Sequence, residues 1–111
     1  MAKLNTAQTF TANQTIAANL FQTGSLVQFT PTNGLVAGGD AATGSIPASG
    51  AGVRMMWYPG KYAFRAGQAS GTEWDDANVG YGSVAFGDTT KASNFNSIAM
   101  GFGTTSSGTS A

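Results

Sequence analysis

The chain has 111 residues, a formal net charge of zero and only 9% charged residues, against roughly 25% in ordinary soluble domains. Without histidine or cysteine it is excluded from Ser-His-Asp, Cys-His and zinc-hydrolase chemistry, and it has no disulfides. Its neutrality leaves no electrostatic footprint for nucleic acid or an anionic membrane, and no apolar run approaches the ~18 residues of a spanning helix.

The opening stretch MAKLNTAQTF has a lysine but no apolar run behind it, so it does not read as a signal peptide. QTFTAN (8–13) is followed by QTIAAN (14–19), and Leu4, Phe10 and Ile16 stand six residues apart. An even spacing returns an apolar side chain to the same side of an extended chain. Thr6, Thr9, Thr11 and Thr15 weigh against a helix, because β-branched residues lose rotamer freedom there. Residues 1–37 are therefore expected to be an extended shaft or attachment segment anchored by Leu4, Phe10 and Ile16. Such hexads resemble the shafts of phage fibres, in which three strands wrap around one another. SLVQFT (25–30), the turn PTNG and LVAGG predict a hairpin or two short strands. Residues 38–52, rich in Gly and Ala, predict a linker or loop.

The segment VRMMWYPGKYAFRAG (53–67) is the most aromatic part, with Pro59-Gly60 predicting a turn between two strands. GKYAFRAG (60–67) keeps its glycines seven apart, as GYGSVAFG (80–87) does, and reads as a degenerate first copy of that later repeat. Residues 53–79 are expected to form an aromatic cap in which Trp57, Tyr58, Phe64 and Trp74 cover an exposed strand edge. The same aromatics also suit a carbohydrate platform. Glu73, Asp75 and Asp76 cluster in GTEWDDAN, but their spacing matches no calcium loop. They read as a solvated turn whose acids face water or pair with Arg65 or Lys61. No catalytic residue, metal site or cofactor is expected.

GYGSVAFGDTTKAS and NFNSIAMGFGTTSS align at a period of 14, and GTSA begins a third copy. Gly80 falls on Asn94, Ser83 on Ser97, Val84 on Ile98, Ala85 on Ala99, Phe86 on Met100 and Gly87 on Gly101. The core S-[VI]-A-[FM]-G alternates large and small residues, as a strand with two different faces must. The remainder of each copy is turn chemistry: Gly, Thr, Ser, Asn and Asp. One strand and one turn cannot bury a face alone, whereas stacked copies can, which is the logic of a solenoid. The broken third copy would leave an uncovered edge, so the polypeptide or its assembly is expected to continue past it.

These repeats over 80–111 resemble those of YadA-like heads, found in trimeric autotransporter adhesins and in phage or phage-like tail fibres. Asn94 in a glycine slot and Ala111 in a serine slot depart mildly from the pattern. The resemblance implies an all-β trimeric fibre, with an extended N-terminal shaft and a C-terminal left-handed parallel β-roll. Low charge and small side chains also favour an obligate oligomer. The function implied is structural and adhesive, that of a tail-fibre-like homotrimer on a phage or contractile injection particle. Its N-terminal segment would meet baseplate or tail proteins, and its distal end a cell-surface receptor or glycan. Such a fibre would be assembled in the cytoplasm and carried outside on the particle, without nucleic acid binding or membrane insertion. The alternatives are the head of a surface-anchored trimeric adhesin and the non-catalytic base of a polysaccharide-degrading tailspike.

Overall fold

The computed structural model describes residues 11, 12, 15, 17, 18 and 23–109; Leu4, Phe10 and Ile16 lie outside the described residues. The chain divides into two compact units, Met1–Leu35 and Val36–Ala111. Among the described residues of the first unit there is no strand, and Leu26, Val27 and Phe29 are exposed. The hairpin or two short strands expected from SLVQFT, PTNG and LVAGG are not formed: residues 25–37 carry bends and irregular backbone without strand pairing. Two short strands with no third strand to join are marginal on their own, and propensity does not overcome that.

Among its described residues the second unit holds six strands: β1 (Gly52–Tyr58), β2 (Ala63–Ala69), β3 (Val84–Asp88), β4 (Lys91–Ala92), β5 (Ile98–Phe102) and β6 (Thr105–Ser106). Two single 3-10 turns, Pro59–Lys61 and Asp76–Asn78, complete the elements, so the described chain is all-β. β1 and β2 form an antiparallel hairpin around Pro59-Gly60. Proline pre-sets the φ of the turn, and Tyr62 closes it in the left-handed region (φ 40°), its N–H reaching the Pro59 carbonyl at 3.0 Å.

From β2 onward the pairing is parallel, in the order β1-β2-β3-β5, with β4-β6 as a second small sheet. Val84 pairs with Ile98, Phe86 with Met100 and Lys91 with Thr105, each 14 residues apart. Phe64 pairs with Val84 and Gly67 with Gly87, so residues 60–67 lie one strand before 80–87, in the frame set by their glycines. The longer interval between these two strands accommodates residues 70–79, including Trp74 and the second 3-10 turn.

The close stacking depends on missing side chains. Gly67 and Gly87 have φ of 126° and 120°, values that only glycine adopts without strain. A Cβ on Gly67 would collide with the Gly87 carbonyl, and one on Gly87 with that of Gly101.

Burial reverses the ordinary assignment of the two strand faces. Ala85, Ala92 and Ala99 form one buried cluster, flanked by fully buried Ser83, Ser97 and Thr90. Larger buried side chains gather toward β1: Met56, Ala69 and Trp74 in one cluster, and Tyr58, Ala63 and Val79 in another, with Ile46 against both. Trp74 donates from Nε1 to the Thr90 carbonyl at 2.8 Å, which satisfies its polar edge inside the core.

Candidate functional site

Strand register places the large apolar residues of the motif side by side on the outer face of the four-stranded sheet. Trp57, Phe64, Val84 and Ile98 form one row across the strands, and Met55, Ala66, Phe86 and Met100 the next. Phe64 and Phe86 meet edge to face with ring centroids 5.6 Å apart. Val53 (78%), Met55 (77%), Ile98 (55%), Met100 (59%) and Phe102 (81%) are exposed, while Val84 and Phe86 are half-buried. Scattered exposed apolar residues are normal on a monomer, but a contiguous apolar face marks an interaction surface.

On the opposite face the registered row runs Met56, Arg65, Ala85, Ala99. Arg65 occupies the position that alanine takes in the following strands, and it is fully buried. Its guanidinium donates to the carbonyls of Phe64 (2.9 Å), Ser83 (3.1 Å) and Ala92 (2.8 Å) and to the Ser83 hydroxyl (2.9 Å). Among the described residues no carboxylate pairs with it, and burial pulls its pKa down to about 10. Arg65 therefore works as a long filler in the row of Ala85 and Ala99, its tip held by three main-chain carbonyls and the Ser83 hydroxyl.

Of the two cations expected to pair with the acidic turn, Lys61 does so, its Nζ lying 3.2 Å from Asp76 Oδ1. Asp76 also accepts from the Tyr58 hydroxyl at 2.8 Å. That hydrogen bond is the main cause holding the Asp76 carboxyl below its ordinary value, with Lys61 adding to it, and it raises Tyr58 above the ordinary phenol value. Asp75 accepts from the Gly50 amide at 2.7 Å. Glu73 accepts from the Ser70 hydroxyl and the Gly71 amide, and backbone amides chiefly lower its pKa. Each acid thus holds its own piece of loop. Among the described residues no group of acids is arranged to hold a metal ion, and no pocket is present.

Of the four aromatics assigned to the cap, Tyr58 is buried with Ala63, Val79 and Ile46 and Trp74 with Met56, Ala69 and Ile46, whereas Trp57 and Phe64 belong to the outer face. Arg54 lies over the Trp74 ring, 5.4 Å from its centroid. A further aromatic series, not anticipated from the sequence, runs along one corner. Tyr62 and Tyr81 have centroids 5.7 Å apart, and Tyr81 stacks on Phe95 at 5.5 Å and 14°. The signal for it lies in the alignment of the two full copies, which places Tyr81 over Phe95. The faces of Tyr81 and Phe95 cover each other, so this series reads as stacking along the corner more than as an open sugar platform.

Ser83 and Ser97 repeat one device, each hydroxyl donating to a carbonyl three residues back, Gly80 at 2.6 Å and Asn94 at 2.8 Å. Such side-chain bonds fix a turn where a strand begins. Gly80 sits where a Cβ would collide with the Asn94 carbonyl, which accounts for glycine there. Compared with known proteins, the chain matches no family model, no curated protein and no solved structure.

Proposed function

We propose that this protein is a structural and adhesive fibre subunit, a β-roll that associates as a homotrimer through the outer face of its long sheet. The observation that carries the reading is the inverted strand: alanine and serine are buried within one chain while Val53, Met55, Ile98, Met100 and Phe102 face outward. An apolar face of this kind is stable in water only when covered, and copies of the same chain present the same rows to one another. The threefold count, the left-handed roll and the placement on a phage-like particle come from the resemblance of S-[VI]-A-[FM]-G repeats to YadA-like heads. The parallel pairing at 14-residue offsets supports stacked coils. No step of chemistry is assigned.

The experiment is to place aspartate on the outer rows, as Ile98→Asp with Met100→Asp. Both residues are exposed within one chain, so the fold has no need of them there. The expected result is loss of the trimer in light scattering with the strand signal in circular dichroism retained. A folded double variant that still assembles would place the interface elsewhere.

A further inference from the structure

A phenol that gives up an electron and its hydroxyl proton becomes a radical, and two such radicals in contact join carbon to carbon. The chain has three tyrosines, Tyr58, Tyr62 and Tyr81. Tyr58 is buried, and its hydroxyl is engaged by Asp76 at 2.8 Å. Tyr62 is 46% exposed and Tyr81 half-buried, and their rings meet just ahead of β2 and β3, with centroids 5.7 Å apart.

The angle between the two rings decides what the contact can do. Tyr81 and Phe95 follow the 14-residue ladder and stack face to face, at 14°. Tyr62 stands outside that ladder, because Phe64 pairs with Val84, an offset that sets Lys61 level with Tyr81. Its ring therefore meets Tyr81 at 57°, which brings ring edge toward ring. Phenol radicals couple at those edges, through the carbons beside the one that bears the hydroxyl. One of them, Tyr62 Cε2, would lie 3.1 Å from a Cβ on Gly82, so glycine there makes room for the Tyr62 ring directly beside Tyr81. Main-chain bonds fix both residues. The Gly82 amide donates to the Lys61 carbonyl (2.8 Å), the Asn96 amide to the Tyr81 carbonyl (2.8 Å) and the Tyr62 amide to Pro59 (3.0 Å).

We propose that Tyr62 and Tyr81 are an oxidative cross-linking site, at which a one-electron oxidant, a haem peroxidase with hydrogen peroxide, joins the two rings of one chain as a dityrosine. Each phenol loses one electron and its hydroxyl proton. A carbon–carbon bond forms between a Cε of each radical, and the hydrogens on those carbons move to the oxygens, restoring both phenols. Hydrogen peroxide takes up the two electrons and two protons and leaves as two waters. Rings already in contact turn the encounter of two radicals into an intramolecular step. The bond closes the loop 62–81, which carries Trp74 and the Asp76–Asn78 turn. Closing a loop of this size restricts the unfolded chain, as a disulfide does. The proposal goes beyond the fibre reading and does not depend on it.

The test treats the full chain with a haem peroxidase and hydrogen peroxide, then follows dityrosine fluorescence, denaturing electrophoresis and tryptic mass mapping. Trypsin cuts after Lys61, Arg65 and Lys91, so Tyr62 and Tyr81 fall in separate peptides, 62–65 and 66–91. The expected product runs as a single chain and yields these two peptides joined, with two hydrogens lost. Tyr62→Phe and Tyr81→Phe, which keep both rings, should each abolish the fluorescence, while Tyr58→Phe should leave it. At equal urea the cross-linked chain should show an unfolded population roughly 100-fold below that of the parent. No dityrosine, or dityrosine only between chains, would overturn the proposal. Fluorescence that survives Tyr62→Phe or Tyr81→Phe would overturn it as well, and an unchanged urea midpoint would refute the closing of the loop.

Discussion

Replacing Arg65 separates two reasons for burying a charged side chain with no carboxylate beside it. Three of its acceptors have another partner: the Ser83 carbonyl takes the Phe64 amide, the Ala92 carbonyl takes the Gly80 amide, and the Ser83 hydroxyl donates to Gly80. Removing the guanidinium therefore orphans none of these three. What is lost is a set of charge-assisted hydrogen bonds worth roughly 1.5–3 kcal/mol each, and what is recovered is a desolvation cost of several kcal/mol. Arg65→Met keeps most of the volume, so the terms nearly cancel and stability should lie within about 1 kcal/mol of the parent. Arg65→Ala empties the position beside Met56 and Ala85, and a cavity of that kind costs about 2–5 kcal/mol. Urea unfolding followed by far-ultraviolet circular dichroism measures both variants, and the alanine variant should shift to a clearly lower midpoint. If methionine is as damaging as alanine, the donor pattern matters more than the volume, and the role of filler is refuted.

Three other substitutions probe the stacking, a turn and an ionised pair. Gly87→Ala combines a φ of 120°, which costs ~1–3 kcal/mol for a side chain, with a collision against the Gly101 carbonyl; thermal melting should show it less stable than Gly101→Ala, and equal losses would argue against tight stacking. Thr89 has φ 58° where Gly103, 14 residues on, has φ 62°; Thr89→Gly should be neutral or stabilising by up to ~1 kcal/mol, and a loss above that would mean its hydroxyl bond to Asp88 (2.8 Å) dominates. The depressed Asp76 carboxyl contributes stability that is present above its ordinary value of 3.8 and is lost as pH falls below it. Raised Tyr58 contributes stability that is present below 10 and is lost as pH climbs above that value. In Asp76→Asn both slopes should flatten in pH-dependent melts, and unchanged slopes would mean that the pair contributes nothing to stability.

The period is the most legible feature of the sequence, because a 14-residue repeat of Val84-Ala85-Phe86-Gly87 and Ile98-Ala99-Met100-Gly101 can pair in register only at that offset. The glycines seven apart in 60–67 and 80–87 likewise indicate which strand precedes the repeats. The orientation of the faces is not legible. Alternation shows that a strand has two faces, but the usual rule would bury Val, Ile, Phe and Met and expose alanine. Here the buried face of β3 and β5 holds Ser83, Ala85, Ser97 and Ala99, with Arg65 in the same row on β2, and the large residues of the motif lie on the other face. Arg65 is easily misread because buried arginines are rare without an acid; its alignment with Ala85 holds the clue. The segment around Phe29 fails for the opposite reason, since local strand propensity cannot hold a hairpin without a third strand or a surface to cover.

Sedimentation equilibrium of the unmodified chain at micromolar concentration tests the central claim, association through the outer face, most directly. The predicted result is a single species of three chain masses that persists on dilution through the micromolar range, because the rows of Val53, Met55, Ile98, Met100 and Phe102 are covered only by association. A stable monomer, folded by circular dichroism and free of aggregation, would contradict it.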